Sequence, residues 1–517
     1  MVSTMPMYAT FPMPICGMNK MATQSRFAVH TAVIRGAEAL PVTVEVSLAA
    51  GIPGMTIVGM PDSAVLEARP RVRCACKAAS YDLPRLHITV NLAPGELKKR
   101  GSGLDLPIAV ATLAATGQIP HRDLDSCLFV GELALDGGVA AVRGMVAYAL
   151  LADEMGLELI TGAGEALPAN LASHMKLLTS LTQLKQGVDR LAYDKQTQFL
   201  EISKQPYSLD FADVIDQEIA KRAFCLAAAG GHGLLMVGPP GAGKTMLAKR
   251  LPTILPSLAA EEQTEVLLIH SLAGEPLAEG FQMIRPFRSP HHSISYAGMV
   301  GGGRPVMPGE VSLAHHGILF LDELPEFAPG TLQALRQPLE DKEVRIVRVD
   351  GIYKFPCAFQ LVAAANPCPC GYLGDVGHVC TCSSGQVTRY QGRIGGPLMD
   401  RIDLQVNVTR PKGSRVIQGE LGTSSTQMRE LVCQAREFCA WRGTHNEKGQ
   451  TASLAEIAAL DLKAQSTLED IARRKSFGGR AISRVVRVAR TIADLDCRDE
   501  VNSTDIVEAC SYRTMSS

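Results

Sequence analysis

Apolar and polar positions alternate over 31–35 and 41–46, a period that predicts strands, and Gly51, Pro53 and Gly54 then turn the chain. A helical spacing follows over 65–79, where Pro70 fits only near the helix start. Residues 88–92 and 128–135 read as further strands, and 103–115 and 142–155 as apolar helices. Strands and helices mixed in this order, with short glycine turns, predict an α+β domain over 21–181. Residues 182–208 are polar and charged and hold Lys204, Gln205 and Pro206, the composition of a linker.

Beyond 209 the period changes. An alanine-rich helix over 218–229 closes at Gly230 and Gly231. Apolar runs leading to Gly238, Asp322 and Asn366 are continuous, which suits parallel strands covered on both faces. With the helices between them they predict an α/β core over 209–410. Residues 344–356 read as a hairpin turning at Asp350 and Gly351, and 285–309, dense in His, Ser, Gly and Pro, as a long irregular loop. Helical spacing at 424–442, 454–459, 464–475, 479–492 and 503–510 makes 411–517 a helical lid, the last of these helices starting at Ser503.

A chain of 517 residues is too long for one core, and its length implies about three or four domains. Lys plus Arg number 51 against 52 for Asp plus Glu, so only a local basic face could bind nucleic acid. Aromatics at 5% leave few platforms for stacked bases. No stretch approaches the roughly 20 uninterrupted apolar residues of a membrane helix. The best candidate, 104–116, holds Asp105 and Pro107. The first residues lack a charged region followed by an apolar one, and Met18 and Met21 are alternative starts, so 1–20 read as a disordered or misassigned extension. These features predict a soluble cytoplasmic protein with no membrane partner. Fourteen cysteines in so long a chain do not make a disulfide scaffold, and Cys127, Cys225, Cys433 and Cys439 sit among apolar neighbours where a buried thiol is expected.

Three constellations carry chemistry. The run Gly238, Pro239, Pro240, Gly241, Ala242, Gly243, Lys244, Thr245 fits G-x-x-x-x-G-K-[ST] between a strand and a helix. Backbone N–H groups around Gly241 and Gly243 can approach phosphate with no Cβ in the way, and the start of the following helix favours negative charge. Lys244 would reach the β- and γ-phosphates of ATP, and the Thr245 hydroxyl would ligate Mg²⁺. Asp322 is placed to hold the Mg²⁺ shell and Glu323 to polarise an attacking water. Cys368 with Cys370 and Cys380 with Cys382 form two C-x-C pairs flanked by glycines, able to give the tetrahedral sulfur set that selects zinc, with His378 as a substitute ligand. Four thiolates leave zinc no open position, so that site would be structural. Adjacent His291 and His292 diverge and read as loop hydrogen-bonding residues.

Stretches 57–62, 91–95, 101–109 and 130–139, together with the motifs above, resemble the ComM (YifB) family of magnesium-chelatase-like AAA+ ATPases. The resemblance runs from about Ser25 to the end and implies an α/β AAA+ P-loop core with a helical lid, preceded by a Lon-protease-like α+β domain. Aligned with a Lon peptidase, the first domain has Asp105 where the nucleophilic Ser belongs and Val146 where the Lys base belongs, so no peptidase activity is expected. Ser102 beside Lys98 or Lys99 is the remaining candidate dyad. Asp216 stands where the family has Gly, near the adenine.

The same resemblance assigns further roles. Residues 285–309 become the insertion projected into a central pore, and Arg345, Arg348 and Lys354 a cationic pore hairpin, with Arg348 on a nucleic-acid phosphate. Asn366 looks like sensor 1. Arg401 would reach a neighbouring subunit's γ-phosphate, the local alternative being an ion pair with Asp400 or Asp403. Arg480 matches sensor 2, with Arg484 one turn along as runner-up. What the family implies is a homo-oligomeric, hexameric ring acting on single-stranded and branched DNA. It would drive branch migration in recombination and the integration of transforming DNA, alongside recombination proteins. The alternative is a metal-chelatase motor subunit remodelling a protein partner, in which neither the first domain nor the cysteine cluster is expected. A scaffold that binds ATP without turnover fits poorly with intact Lys244, Asp322, Glu323, Asn366 and Arg401.

Overall fold

The computed structural model describes residues 26–164, 167, 169–193, 209–275, 284–375, 377–411, 413–418, 421–445 and 453–513. The extension expected at 1–20 lies outside them. β1 (Arg26–Arg35) and β2 (Glu38–Ala49) form a long antiparallel pair, and β2 pairs antiparallel with β4 (His87–Ala93). β3 (Gly54–Val58) adds in parallel at that edge, while β5 (Cys127–Phe129), β6 (Glu158–Thr161) and β7 (Met175–Leu177) extend the other side in parallel. The order is β3-β4-β2-β1-β5-β6-β7. Helix α1 (Asp105–Ala115) is buried along its whole length, as a helix apolar on all sides must be.

Local differences from the expected elements have local causes. The helix expected over 65–79 is two, Ser63–Leu66 and Ala68–Ala78, which leaves Pro70 in the first turn of the second. The linker expected over 182–208 begins later. Leu184, Val188 and Leu191 are buried in the first domain's core, their spacing hidden among polar neighbours, and 194–208 lie outside the described residues. Cys127 and Cys225 are buried as expected, whereas Cys433 is half-buried and Cys439 exposed.

The second sheet is entirely parallel. Its strands are β8 (Leu234–Val237), β9 (Phe287–Arg288), β10 (Ile318–Leu321), β13 (Gln360–Ala365) and β14 (Leu404–Asn407), in the order β9-β10-β13-β8-β14. Two hydrophobic clusters cover its faces. Ile318, Phe320, Val362 and Ala364 point into one, and Leu319, Leu321, Leu361 and Ala363 into the other, which is why these strands show no alternation in sequence. The connections leaving β8 and β13 run in opposite directions, so a crevice opens between the C-terminal ends of these neighbours.

Between β10 and β13 the chain makes the hairpin β11 (Glu343–Arg348) and β12 (Gly351–Pro356). Its loop is Val349 and Asp350 rather than Asp350 and Gly351. Gly351, at φ +136°, is the strand residue opposite Arg348, a backbone state that side chains rarely adopt.

Helices α2 (Glu218–Gly230), α3 (Lys244–Ile254) and the C-terminal helices α5 (Ser425–His445) and α6 (Gly479–Leu495) share one hydrophobic cluster with the sheet. The last lid helix, Ser503–Ser511, is capped by Asn502, one residue before the expected start. Leu267 of α4 (Ala260–Ala273) packs into a cluster with Ala32, Leu128 and Met145, which ties the first domain to the second.

Candidate functional site

The glycine-rich loop follows β8 into the crevice. Gly238 donates to Ala365 O at 3.2 Å, and a Cβ on it would lie 2.1 Å from Val408 O. Gly241 and Gly243 adopt φ +76° and +88°, so the loop curls without side chains on its inner turn. α3 then starts at Lys244 with no side-chain cap, leaving its first N–H groups for a ligand.

Lys244 Nζ donates to Gly238 O at 2.6 Å, to Pro239 O at 3.1 Å and to Asn366 Oδ1 at 3.1 Å. Burial pulls its ammonium below the ordinary value, and the charges of Asp322 and Glu323 offset part of that. Thr245 Oγ1 donates to Asp322 Oδ2 at 2.7 Å, while Asp322 Oδ1 accepts from Glu323 N at 2.9 Å. Glu323 sits in the left-handed region at φ +51°, with its carboxylate more than half exposed and Oε2 3.5 Å from His292 Nδ1. The crevice thus gathers Lys244, Thr245, Asp322, Glu323 and Asn366. The donor chemistry fits nucleotide and magnesium: glycine backbone and a lysine for phosphates, and two hard oxygens 2.7 Å apart for Mg²⁺.

Directly after Asn366 the four cysteines come together. Cys368 Sγ lies 3.3 Å from Cys370 Sγ and 3.7 Å from Cys380 Sγ, Cys370 and Cys380 are 3.6 Å apart, and all four sulfurs lie within 4.8 Å of one another. With Zn–S near 2.3 Å a tetrahedron has S···S edges of roughly 3.8 Å, so the cluster fits a zinc ion. Backbone N–H groups of Tyr372 and Thr381 draw the Cys370 thiol well below its ordinary value, while desolvation and the neighbouring cysteines push the Cys380 and Cys382 thiols up. His378 is not a fifth member. Its Nδ1 faces Asp375 Oδ2 at 3.0 Å and Arg410 Nη1 at 2.9 Å.

Arg401 and Arg484 stand away from the crevice. Arg401 flanks Gly233, ahead of β8, so the length of that strand, at about 3.3 Å per residue, puts roughly 15 Å between Arg401 and the loop of its own chain. Its guanidinium pairs with Glu340, not with Asp400 or Asp403, and the side chain is 11% exposed. Asp403 is instead held by Arg484 at 3.5 Å and by His232 at 3.4 Å. Arg484 is buried in that joint between lid and core, whereas Arg480, one helical turn earlier, is exposed.

On the hairpin, Arg345 and Lys354 face each other across the strands, Glu343 pairs with Arg345 at 2.5 Å, and Arg348 and Lys354 are exposed. Tyr353 and Phe355 point inward to the core cluster. The loop 285–309 holds the short helix Tyr296–Val300, and Gly302 of this loop lies beside Arg348.

Three family models match the chain: magnesium chelatase, subunit ChlI, over 210–416; subunit ChlI of Mg-chelatase over 44–163; and magnesium chelatase, subunit ChlI C-terminal, over 422–513. Competence protein ComM of Haemophilus influenzae is 41% identical over 499 residues, 94% of this chain and 97% of its own length. Uncharacterized protein YifB of Escherichia coli is 40% identical over 500 residues, again 94% of this chain and 97% of its own. The chain belongs to the ComM/YifB magnesium-chelatase-like family.

The model described as subunit ChlI of Mg-chelatase covers most of the first domain, over 44–163. Support for a Lon-like domain is partial: Lon protease 2 of Bacillus subtilis is 26% identical over 153 residues, 28% of this chain and 27% of its own length. In that domain Asp105 is buried against Arg71, with Nε to Oδ2 at 2.6 Å and Nη2 to Oδ1 at 3.0 Å, and Val146 is fully buried. Ser102 donates to Glu132 at 2.7 Å while Lys99 is buried with its Nζ on Pro94 O, so these two do not form a dyad.

Glu265, His315 and His316 also cluster tightly enough for a metal. Hydrogen bonding argues against it. His315 Nδ1 accepts from Ala358 N at 2.9 Å, so the proton sits on Nε2, which faces Glu265 at 2.8 Å. A metal on Nε2 would force a second N–H against that of Ala358.

The sequence reading missed three features. Asp216 takes φ +58°, a backbone state that glycine adopts most readily, and its carboxylate meets Arg415 at 2.7 Å. His292 approaches Glu323, and Arg410, just past β14, reaches Pro240 O in the glycine-rich loop at 3.3 to 3.4 Å. The position of Arg410 beyond the C-terminal end of a core strand was the available signal.

Proposed function

We propose that the chain is an ATP-hydrolysing, ring-forming AAA+ motor that acts on DNA, promoting branch migration in recombination and the integration of transforming DNA. The observation that carries the hydrolytic part is the convergence of Lys244 on Asn366 and of Thr245 on Asp322 at the ends of adjacent strands. In this reading 209–410 are the ATPase core, 411–517 the lid and 21–181 an accessory domain without peptidase chemistry. The motor works in the cytoplasm.

The glycine-rich loop and Lys244 hold the phosphates. Thr245 and Asp322 would hold Mg²⁺, which would supply neutralisation of phosphate charge. Glu323 accepts the proton of the attacking water, and Asn366 fixes Lys244 and senses the γ-phosphate. Arg401 stands at the far end of β8 from its own loop and serves a neighbour, which requires a ring, read as a hexamer, and Arg480 acts as sensor 2. Zinc on Cys368, Cys370, Cys380 and Cys382 is structural. Exposed Arg348 and Lys354, with Arg345 opposite Lys354, give the hairpin a cationic face, which supports DNA contact by Arg345, Arg348 and Lys354. The Haemophilus relative is named a competence protein, which supports the transformation role.

The names of the three matching family models favour a second reading, a chelatase-type motor remodelling a protein partner. ATPase assays with and without single-stranded and branched DNA separate the two. The DNA reading expects stimulation by DNA and binding that weakens with salt. Absence of both at low salt would sink it and leave the chelatase-type motor.

A further inference from the structure

We propose that the zinc-loaded cysteine loop is the outer wall of the phosphate loop, and that Arg410 is the positioning residue that locks the two together, so that metal occupancy sets nucleotide affinity. The proposal rests on the ATP and zinc readings above and extends them. It starts from a chain-level fact: only Pro367 separates Asn366, which bonds Lys244, from the first cysteine.

Two contacts join the loops. Gly371 lies between the cysteine pairs at φ +84°, and a Cβ on it would fall 2.7 Å from Pro240 Cδ, so its backbone rests directly on the phosphate loop. Arg410 supplies the second contact. Its Nε and Nη2 donate to Pro240 O at 3.4 and 3.3 Å, while Nη1 lies 3.3 Å from Asp375 Oδ2 and 2.9 Å from His378 Nδ1. The guanidinium also stands 5.7 Å from the Tyr372 ring centroid, and that ring stacks on His378 at 4.7 Å.

Tyr372, Asp375 and His378 all lie between Cys370 and Cys380, inside the loop that the metal closes. Metal binding therefore arranges the three groups that hold Arg410. Arg410 in turn fixes the carbonyl of the peptide joining Pro240 to Gly241. In a planar trans peptide the N–H points opposite the carbonyl, so holding Pro240 O on the outside turns the Gly241 N–H the other way. Losing the metal frees Asp375 and His378, releases Arg410 and lets that peptide rotate.

The test uses the full-length protein. Arg410→Ala should retain full zinc yet raise KM for ATP about tenfold, with kcat changed far less. Metal removal by chelation, with folding checked by circular dichroism, should raise KM of the wild type similarly and leave that of Arg410→Ala unchanged. A second readout is independent of turnover: in Co²⁺-substituted protein, the thiolate absorption bands should shift on adding a non-hydrolysable ATP analogue in the wild type, but not in Arg410→Ala. Additive effects of the two perturbations, an unchanged KM after metal loss, or bands indifferent to nucleotide would each overturn the coupling. A wild-type protein that binds metal but no ATP would sink the nucleotide reading itself, and this inference with it.

Discussion

The guanidinium of Arg100, in the first domain, lies 2.6 Å from the Asp350 carboxylate in the loop of the cationic hairpin. Arg100 also donates to Tyr353 Oη at 3.0 Å, Tyr353 donates to Asp350 at 2.5 Å, and Ala37 N donates to Lys354 O at 2.9 Å. The Tyr353 hydroxyl holds the Asp350 carboxyl below its ordinary range, and Arg100 adds to the effect. The hairpin is therefore gripped at its loop as well as rooted at its base. Removing a partly buried ion pair of this kind costs about 1 kcal/mol, so Arg100→Ala should speed hydrogen exchange of the 344–356 amides roughly fivefold. Unchanged protection would show that the first domain does not steady the hairpin.

Glu323→Gln removes the proposed base while keeping the side chain's shape. Assembly and ATP binding should persist and turnover should fall at least about a hundredfold. Retained hydrolysis would overturn the assignment of Glu323.

Arg348→Ala should weaken DNA binding to a similar degree on all sequences and flatten the slope of log affinity against log salt by about one. A salt slope equal to that of the wild type would remove Arg348 from the phosphate contacts.

His315 predicts an acid limit to stability. Burial lowers its pKa from 6.5 to about 4, against the opposing hydrogen bond of Glu265 and in line with the nearby charge of His316. The unfolded ring titrates near 6.5, so between that pH and about 4 only the unfolded chain takes up this proton, and stability falls with acid. The slope is at most about 1.4 kcal/mol per pH unit. His315→Asn, whose carbonyl can still accept from Ala358 N, should have a melting temperature that declines less over that window. Equal declines would place the sensitivity elsewhere.

Local patterns made the core legible. The run Ile318–Leu321 announced a doubly covered strand, and glycine spacing announced the tight loop at Gly241 and Gly243, because each feature is complete within a few neighbouring residues. Arg410 on Pro240, His292 near Glu323 and Arg401 on Glu340 join residues far apart in the chain, and no local period encodes such meetings. Leu184 and Val188 were hidden for another reason: isolated apolar residues in a polar stretch look like a linker until a core is seen to receive them.

Arg401 stands beside Gly233, at the far edge of the sheet from the crevice its own chain supplies. On the proposed reading each subunit therefore carries two half-sites and no whole one. A Lys244→Ala subunit keeps a sound arginine edge, and an Arg401→Ala subunit keeps a sound crevice. Each alone should be inactive, yet co-assembled in equal amounts they should regain about a quarter of wild-type ATPase, since one junction in four joins two sound halves. Mixtures that stay inactive would mean that Arg401 does not act between subunits. An open row of subunits has one fewer working site than it has members, so closing the ring creates the last one.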